Sequence, residues 1–221
     1  PAWSPAGDTL TYELAEPGGM SIALFRVTPG EPPEPVSRVG RGRGGAPGFP
    51  RRALAEVSHE VAWGPPDVGR FVYAHGVEGG DRDLVLEGGG TLGAAPGADG
   101  GPAWSADGRW LVFTSARTGQ GDLYRIDLDK PDAPPARLTR DPDASEVFAA
   151  IAPDSRRLVF TAHTPKGDNL QFVEDLTRAS VPIVLTPWPG EQTRPSWSPD
   201  GRRVAFYPNT AQRAPWALPV L

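Results

Sequence analysis

The sequence predicts an all-β chain, a β-propeller of five blades, each of four antiparallel strands, with an incomplete last blade. Three observations carry that expectation. A unit that pairs a large aromatic residue with a tight turn recurs five times in 221 residues, a period of about 44. The apolar runs between turns are too brief for helices and rich in β-favouring residues. Twenty-seven Gly and 27 Pro punctuate the chain, while seven Trp, eight Phe and four Tyr are more apolar bulk than a solvated chain can use.

The repeat is clearest in its third and fifth copies. Pro102-Ala103-Trp104-Ser105-Ala106-Asp107-Gly108-Arg109 leads into Trp110-Leu111-Val112-Phe113, and Pro195-Ser196-Trp197-Ser198-Pro199-Asp200-Gly201-Arg202 leads into Arg203-Val204-Ala205-Phe206. The first copy starts at Pro1-Ala2-Trp3-Ser4-Pro5 and reaches Tyr12; degenerate copies run from Trp63 to Tyr73 and from Ile151 to Phe160. The leading residue and the second aromatic are nine apart in four copies and ten apart in the second. A second block, Gly121-Asp122-Leu123-Tyr124, returns as Gly167-Asp168-Asn169-Leu170 and more weakly at Gly80-Asp81-Arg82-Asp83-Leu84. A third, Arg137-Leu138-Thr139, returns as Val184-Leu185-Thr186 and loosely as Val36-Ser37-Arg38. The repeats fall at about 1–40, 56–96, 97–140, 145–187 and 191–221, within one domain over 1–221.

Each copy reads as four short strands. Between the first two, Ser-Pro-Asp-Gly is a turn with a mechanism: Pro199 presets φ, Asp200 suits the next position, and Gly201 takes a positive φ. Ser155 replaces that Gly in the fourth copy, where a left-handed backbone costs roughly 1 kcal/mol. The one stretch compatible with a helix is Ala53 to His59. A four-stranded unit cannot bury both faces of its sheet alone. Stacking the sheets around an axis buries them, and closing the ring protects their edges. The Trp and Phe residues at fixed register are then wedges between blades, and loss of one is expected to cost about 3–5 kcal/mol.

Charge and composition exclude several classes. A formal charge of −5 and a pI near 5.3 argue against nucleic acid as a partner. No apolar run approaches the roughly 20 residues that span a bilayer. Without Cys there are no disulfides and no Cys-ligated metal. No Gly-x-Ser-x-Gly elbow or His-Glu-x-x-His is present, and His59, His75 and His163 lie in different copies without metal-ligand spacing. Asp127, Asp129 and Asp132, like Asp141, Asp143 and Glu146, lack the Gly and terminal Glu of a helix-flanked calcium loop. No cofactor, metal or catalytic residue is therefore assigned.

The combination Pro-x-Trp-Ser-Pro-Asp-Gly-Arg, then apolar-x-Phe-x-Ser, Asp-Leu-Tyr-x-x-Asp and Arg-Leu-Thr resembles the repeat of TolB-type propellers. It is also similar to the propeller domains of tricorn-like and prolyl-oligopeptidase-type peptidases. The resemblance covers essentially the whole chain and implies the fold; a fold of this kind carries many functions. Five copies depart from the six blades usual in TolB. Copy one opens inside its innermost strand and copy five stops in its third, so either a fragment of a longer polypeptide or an unusual ring closure is expected.

Candidate contacts follow from the register. Glu13, His75, Ser115, His163 and Pro208, after the second strands, are expected at one end of the ring. The connections between blades add His59, Glu60, Asp99, Glu146, Glu191 and Arg194. Propellers bind ligands at such a mouth, although ordinary solvated loop residues are the plainer alternative. The candidates are His59, Glu60, His75, Arg117, Glu146, His163 and Arg194. A Gly-rich connection with five Arg, including Arg41 and Arg43, offers a contact for an acidic partner or is simply a mobile loop.

The expected function is non-catalytic recognition of a protein or peptide at the channel mouth. By resemblance to TolB, the setting is periplasmic or secreted, in the bacterial envelope. The alternatives are a substrate-gating propeller of a larger prolyl-oligopeptidase-type serine peptidase and a propeller enzyme acting on carbohydrate through a channel metal.

Overall fold

The computed structural model describes residues 1–15, 22–36, 56–77, 80–178, 180–188, 190–208 and 216–220, and none of these is helical. The first blade holds β1 (Ala2–Trp3), β2 (Leu10–Ala15), β3 (Ile22–Val27) and β4 (Glu34–Pro35). The second holds β5 (Glu56–Trp63), β6 (Phe71–Val77), β7 (Arg82–Leu86) and β8 (Thr91–Leu92). The third holds β9 (Asp99–Trp104), β10 (Trp110–Ser115), β11 (Asp122–Asp127) and β12 (Ala136–Arg137). The fourth holds β13 (Ser145–Ile151), β14 (Leu158–Thr164), β15 (Gly167–Val173) and β16 (Ile183–Val184). The fifth holds β17 (Gln192–Trp197), β18 (Arg203–Pro208) and β19 (Trp216–Pro219), a three-stranded sheet.

Within every blade, consecutive strands pair antiparallel, in the order of the sequence repeat. A parallel pairing of Ile22 with Val57 joins the first two blades into one eight-stranded sheet. Residues 56–59, which the sequence left compatible with a helix, begin β5 instead: their backbone pairs with β6 through His59 and Ala74, and that ladder overrides a weak local preference. The inner strands pack in series, β1 on β5, β5 on β9, β9 on β13 and β13 on β17. Among the described strands, β17 does not pack substantially back on β1, so these five blades do not close into a ring.

One apolar cluster lies in each gap between blades. Leu24, Phe71 and Tyr73 fill the first gap. Val72, Ala74 and Leu84 meet Leu111, Phe113 and Tyr124 in the second. Trp110, Val112 and Leu123 meet Leu158 and Phe160 in the third, and Val159, Leu170 and Phe172 meet Val204 and Phe206 in the fourth. Because successive side chains of a strand point to opposite faces, a central strand serves two gaps. In β14, Leu158, Phe160 and Ala162 face back towards the third blade, while Val159 faces the fifth. This is why Leu158-Val159-Phe160 and Leu111-Val112-Phe113 are continuous apolar runs. Among the described residues, β18 packs against another blade through one face: Val204, Phe206 and Pro208 are buried, and Arg203, Ala205 and Tyr207 are exposed. The Phe wedges sit as their spacing predicted.

The turns also follow the sequence. Gly7, Gly108 and Gly201 adopt φ of 72°, 72° and 66°, and Ser155 in the fourth copy is left-handed at 59°. Asp107 Oδ1 accepts from the Ser105 hydroxyl at 2.5 Å and the Arg109 N–H at 3.1 Å; Asp200 repeats both bonds with Ser198 and Arg202. The strained Ser155 is compensated by a bond no Gly could make, its Oγ accepting the Asp107 N–H at 2.9 Å.

Candidate binding site at the channel mouth

At the end of the molecule opposite those turns, each of the inner strands β5, β9, β13 and β17 is bulged where it pairs with its neighbour. The extra residue is left-handed in every case: Glu60 (φ 59°), Gly101 (56°), Phe148 (53°) and Arg194 (55°). Each stands three residues before the leading position of its repeat, Trp63, Trp104, Ile151 and Trp197. A bulge in an inner strand re-aims a side chain. For a non-glycine residue the left-handed backbone costs roughly 1–2 kcal/mol, so three blades carry strain to present these side chains.

Bonds between blades hold the bulges. Glu13 Oε1 accepts the Glu60 N–H at 2.9 Å, and Thr161 Oγ1 accepts the Arg194 N–H at 3.2 Å. The Thr114 hydroxyl donates to the Glu146 carbonyl at 2.9 Å. Glu13, Thr114 and Thr161 are the same repeat position, the residue after the second aromatic. The second blade has Ala74 there, with no acceptor to offer. The Glu60 carboxylate takes over, accepting the Gly101 N–H at 2.7 Å. A Cβ on Gly100 would meet that carboxylate and displace it from this bond.

The exposed groups gather at two places. On the side of the first two blades lie Glu13 and Glu60. On the side of the last two, the Arg194 guanidinium lies 4.4 Å from the Phe148 ring centroid, and Phe148, 38% exposed, meets the His163 ring edge-on at 6.4 Å. His163 Nδ1 is 2.7 Å from Asp168 Oδ1.

Two residues before the bulges of β9, β13 and β17 the register places a buried polar side chain: Asp99, Glu146 and Gln192, each with one buried oxygen lacking a hydrogen bond. Arg117 bonds Asp99 Oδ2 at 2.8 Å, the Gly93 carbonyl at 2.9 Å and Ser115 Oγ at 2.6 Å. Burial pushes the Asp99 carboxyl up, against the pull of Ser115 and Arg117. Burial pushes the Glu146 carboxyl up to about 7, with Asp122 and Asp141 adding to the effect and a hydrogen bond from Thr139 opposing it.

The sequence candidates therefore divide. Glu60, His163 and Arg194 stand exposed or half-exposed at the mouth. Arg117 and Glu146 are built into the junctions between blades. His75, at the end of β6, packs edge-on against Tyr73 at 6.4 Å. The backbone of His59, in β5, pairs with that of Ala74 in β6. Arg41 and Arg43 lie outside the described residues. Phe148 was not among the candidates; the signal that finds it is its place three residues before Ile151, shared with Glu60 and Arg194.

Along the inner strands, nearer the Ser-Pro-Asp-Gly turns, Trp104, Ile151 and Trp197 line an open depression of 430 Å³. A larger groove, 760 Å³, runs beside the fourth blade and adjoins the mouth through Asp168; Asp141, Asp143, Lys166, Val184 and Trp188 line it. Among the described residues, no group of three or more His, Asp or Glu is placed to hold a metal.

The family described as the TolB beta propeller domain matches residues 83–216, more than half of the chain. The chain belongs to that family. A protein of Agrobacterium fabrum strain C58, Atu1656, is 29% identical over 119 residues, which make up 50% of this chain and 40% of that protein. Among solved structures, TolB from Acinetobacter baumannii superposes with a TM-score of 0.67 at 20% identity, over 97% of this chain and 50% of that one. A putative TolB from Agrobacterium tumefaciens gives 0.61 at 21% identity, over 93% and 73%. A prolyl endopeptidase gives 0.62 at 13% identity, over 97% and 34%. These likenesses are of fold, and this TolB-family chain spans half or less of the Agrobacterium fabrum and Acinetobacter proteins. No helix among the described residues is long and apolar enough to cross a membrane.

Proposed function

We propose that this TolB-family chain is a non-catalytic scaffold that recognises a protein or peptide partner at the mouth of its channel, in the bacterial envelope. The observation that carries this reading is the row of left-handed bulges. Strained backbone gathers at functional sites, and here the strain serves side chains exposed at one end, Glu60, Phe148 and Arg194. Recognition by a rigid frame requires preorganised loops, an apolar anchor and a polar rim. Phe148 provides an anchor, the charged bulges provide the rim, and the bonds from Glu13 and Thr161 provide the preorganisation. The envelope setting rests on the family, and the basic segment with Arg41 and Arg43 is a second contact for an acidic partner.

The test uses the chain as bait in an envelope extract of its source organism, wild type beside a Glu60→Lys, Arg194→Glu double variant. Capture of a defined protein by the wild type and its loss in the variant are expected; capture that both baits share equally overturns the reading. For the basic segment, Arg41→Glu with Arg43→Glu is expected to weaken the partner and flatten its salt dependence.

A second reading is favoured by the fold match to prolyl endopeptidase over nearly the whole chain: a propeller that gates substrate for a peptidase domain. A Gly-x-Ser-x-Gly elbow encoded downstream in the same open reading frame is the observation that would select it.

A further inference from the structure

We propose that the part of the mouth formed by the fourth and fifth blades is a carboxylate-binding site, in which Arg194 takes an acidic group of an extended peptide and the exposed part of the Phe148 ring takes its apolar neighbour. This deepens the reading of the mouth as a peptide site, and rests on it.

Three features of Arg194 lead to the assignment. Arg109, Arg117, Arg137 and Arg156 all hold carboxylates of this chain. The guanidinium of Arg194 holds none among the described residues, although it is the one that a bulge presents at the mouth. Its backbone is fixed by the bulge, by the bond to Thr161 and by the buried Pro195 that follows. Its guanidinium rests 4.4 Å from the centre of the Phe148 ring, a contact to the ring face that leaves the N–H edges available for a bidentate carboxylate. Order already present in the receptor lowers the entropy that binding would otherwise cost.

The surroundings fix the class of ligand. Glu13 and Glu60 stand exposed on the first two blades, and Asp168, against His163, and the exposed Glu191 stand on the other side, so Arg194 is the group of the mouth that favours an anion. Phe148, itself left-handed and partly exposed, supplies an apolar surface next to the cation, and the half-exposed His163 borders it. A bare inorganic anion would use Arg194 and leave the exposed part of the Phe148 ring unused; a peptide carboxylate flanked by a Leu or Phe side chain uses both. The carboxylate is either a Glu or Asp side chain or a chain terminus.

The experiment follows backbone amide shifts of the isotopically labelled chain during titration with four probes. These are acetyl-Ala-Leu-Ala-Glu-amide, its Gln counterpart, acetyl-Ala-Leu-Ala with a free C-terminal carboxylate, and sodium acetate. The expected result is movement of the Phe148, Thr193 and Arg194 amides with the carboxylate peptides, at an affinity about tenfold above that of the Gln peptide. Arg194→Gln is expected to remove that preference without lowering the melting temperature, and Arg194→Lys to keep part of it. Stronger binding of the Glu peptide identifies a side-chain carboxylate as the source; stronger binding of the free-terminus peptide identifies a chain end. Equal binding of the Glu and Gln peptides at the mouth overturns the carboxylate assignment while leaving peptide recognition there intact. Carboxylate-dependent shifts confined to the opposite end, near Arg202 and Arg203, overturn it as well. Acetate binding as tightly as the peptides marks an adventitious ion only, and also overturns it.

Discussion

The junction between the third and fourth blades and the junction between the fourth and fifth share a plan and differ in charge. In both, a Phe and an aliphatic residue of the later blade's second strand enter an apolar cluster, Leu158 with Phe160 and Val204 with Phe206, and a Thr after the second aromatic bonds the next inner strand. At the mouth end of the first junction sits Glu146, acted on by Asp122 of the third blade. In the second, the same register positions hold Gln192 and Asn169, amides that never ionise. The apolar faces and latches set the architecture. The buried polar position can be acid or amide without disturbing it, so a loss of stability as pH rises towards neutrality is expected at the acidic junction and not at its amide counterpart.

Cutting back the wedges should have the largest effect and should be alike at both junctions. Phe160→Ala and Phe206→Ala are each expected to lose about 3–5 kcal/mol in urea denaturation. A loss below about 1 kcal/mol for Phe206→Ala would break the equivalence of the two packings.

The charge difference should appear next. The Glu146 carboxyl is raised to about 7 in the fold from an ordinary 4.5, so the folded state holds its proton more tightly than the unfolded chain does. Its contribution is therefore fullest below about pH 4.5 and is lost as pH rises through about 7, a swing on the order of 2–3 kcal/mol. Glu146→Gln is expected to remove that decline when denaturation is compared at pH 5 and pH 8.5. Gln192→Glu should install a similar decline at the second junction.

Smaller effects concern the bulges. Gly101 shows that the third blade builds its bulge without a side chain, and Arg194→Gly is accordingly expected to raise stability by about 1 kcal/mol by relieving the left-handed strain. That gain should be accompanied by weaker binding at the mouth, the exchange expected where strain serves function. Thr161→Val and Thr114→Val each remove one latch, with an expected loss of about 0.5–1 kcal/mol in thermal melts.

The fold was legible because its signals are periodic. The spacing from Trp104 to Phe113 and from Trp197 to Phe206 located strands and wedges, and turn chemistry located the left-handed Ser155. The mouth was legible only in part. Glu60 and Arg194, expected in the connections between blades, lie instead within the inner strands β5 and β17, at their bulges, and His163 lies near the end of β14. Arg117 and Glu146 looked the same in sequence, yet Arg117, in the turn after β10, folds back onto Asp99 and Ser115, and the alternation of β13 turns Glu146 into the junction. The bulges were hidden: Glu60, Gly101, Phe148 and Arg194 share a backbone conformation and no side-chain chemistry, and only Gly101 has the residue type that positive φ favours. Counting back three residues from the leading Trp or Ile would have aligned them.

Hydrogen exchange of the chain with and without its captured partner tests most directly whether the bulged end performs the recognition. The account predicts new protection at the backbone of Glu60 and Val61, Phe148 and Ala149, and Thr193 and Arg194, with the turns at 105–108 and 198–201 unchanged. Protection of those turns, with the bulges exchanging as before, would contradict it.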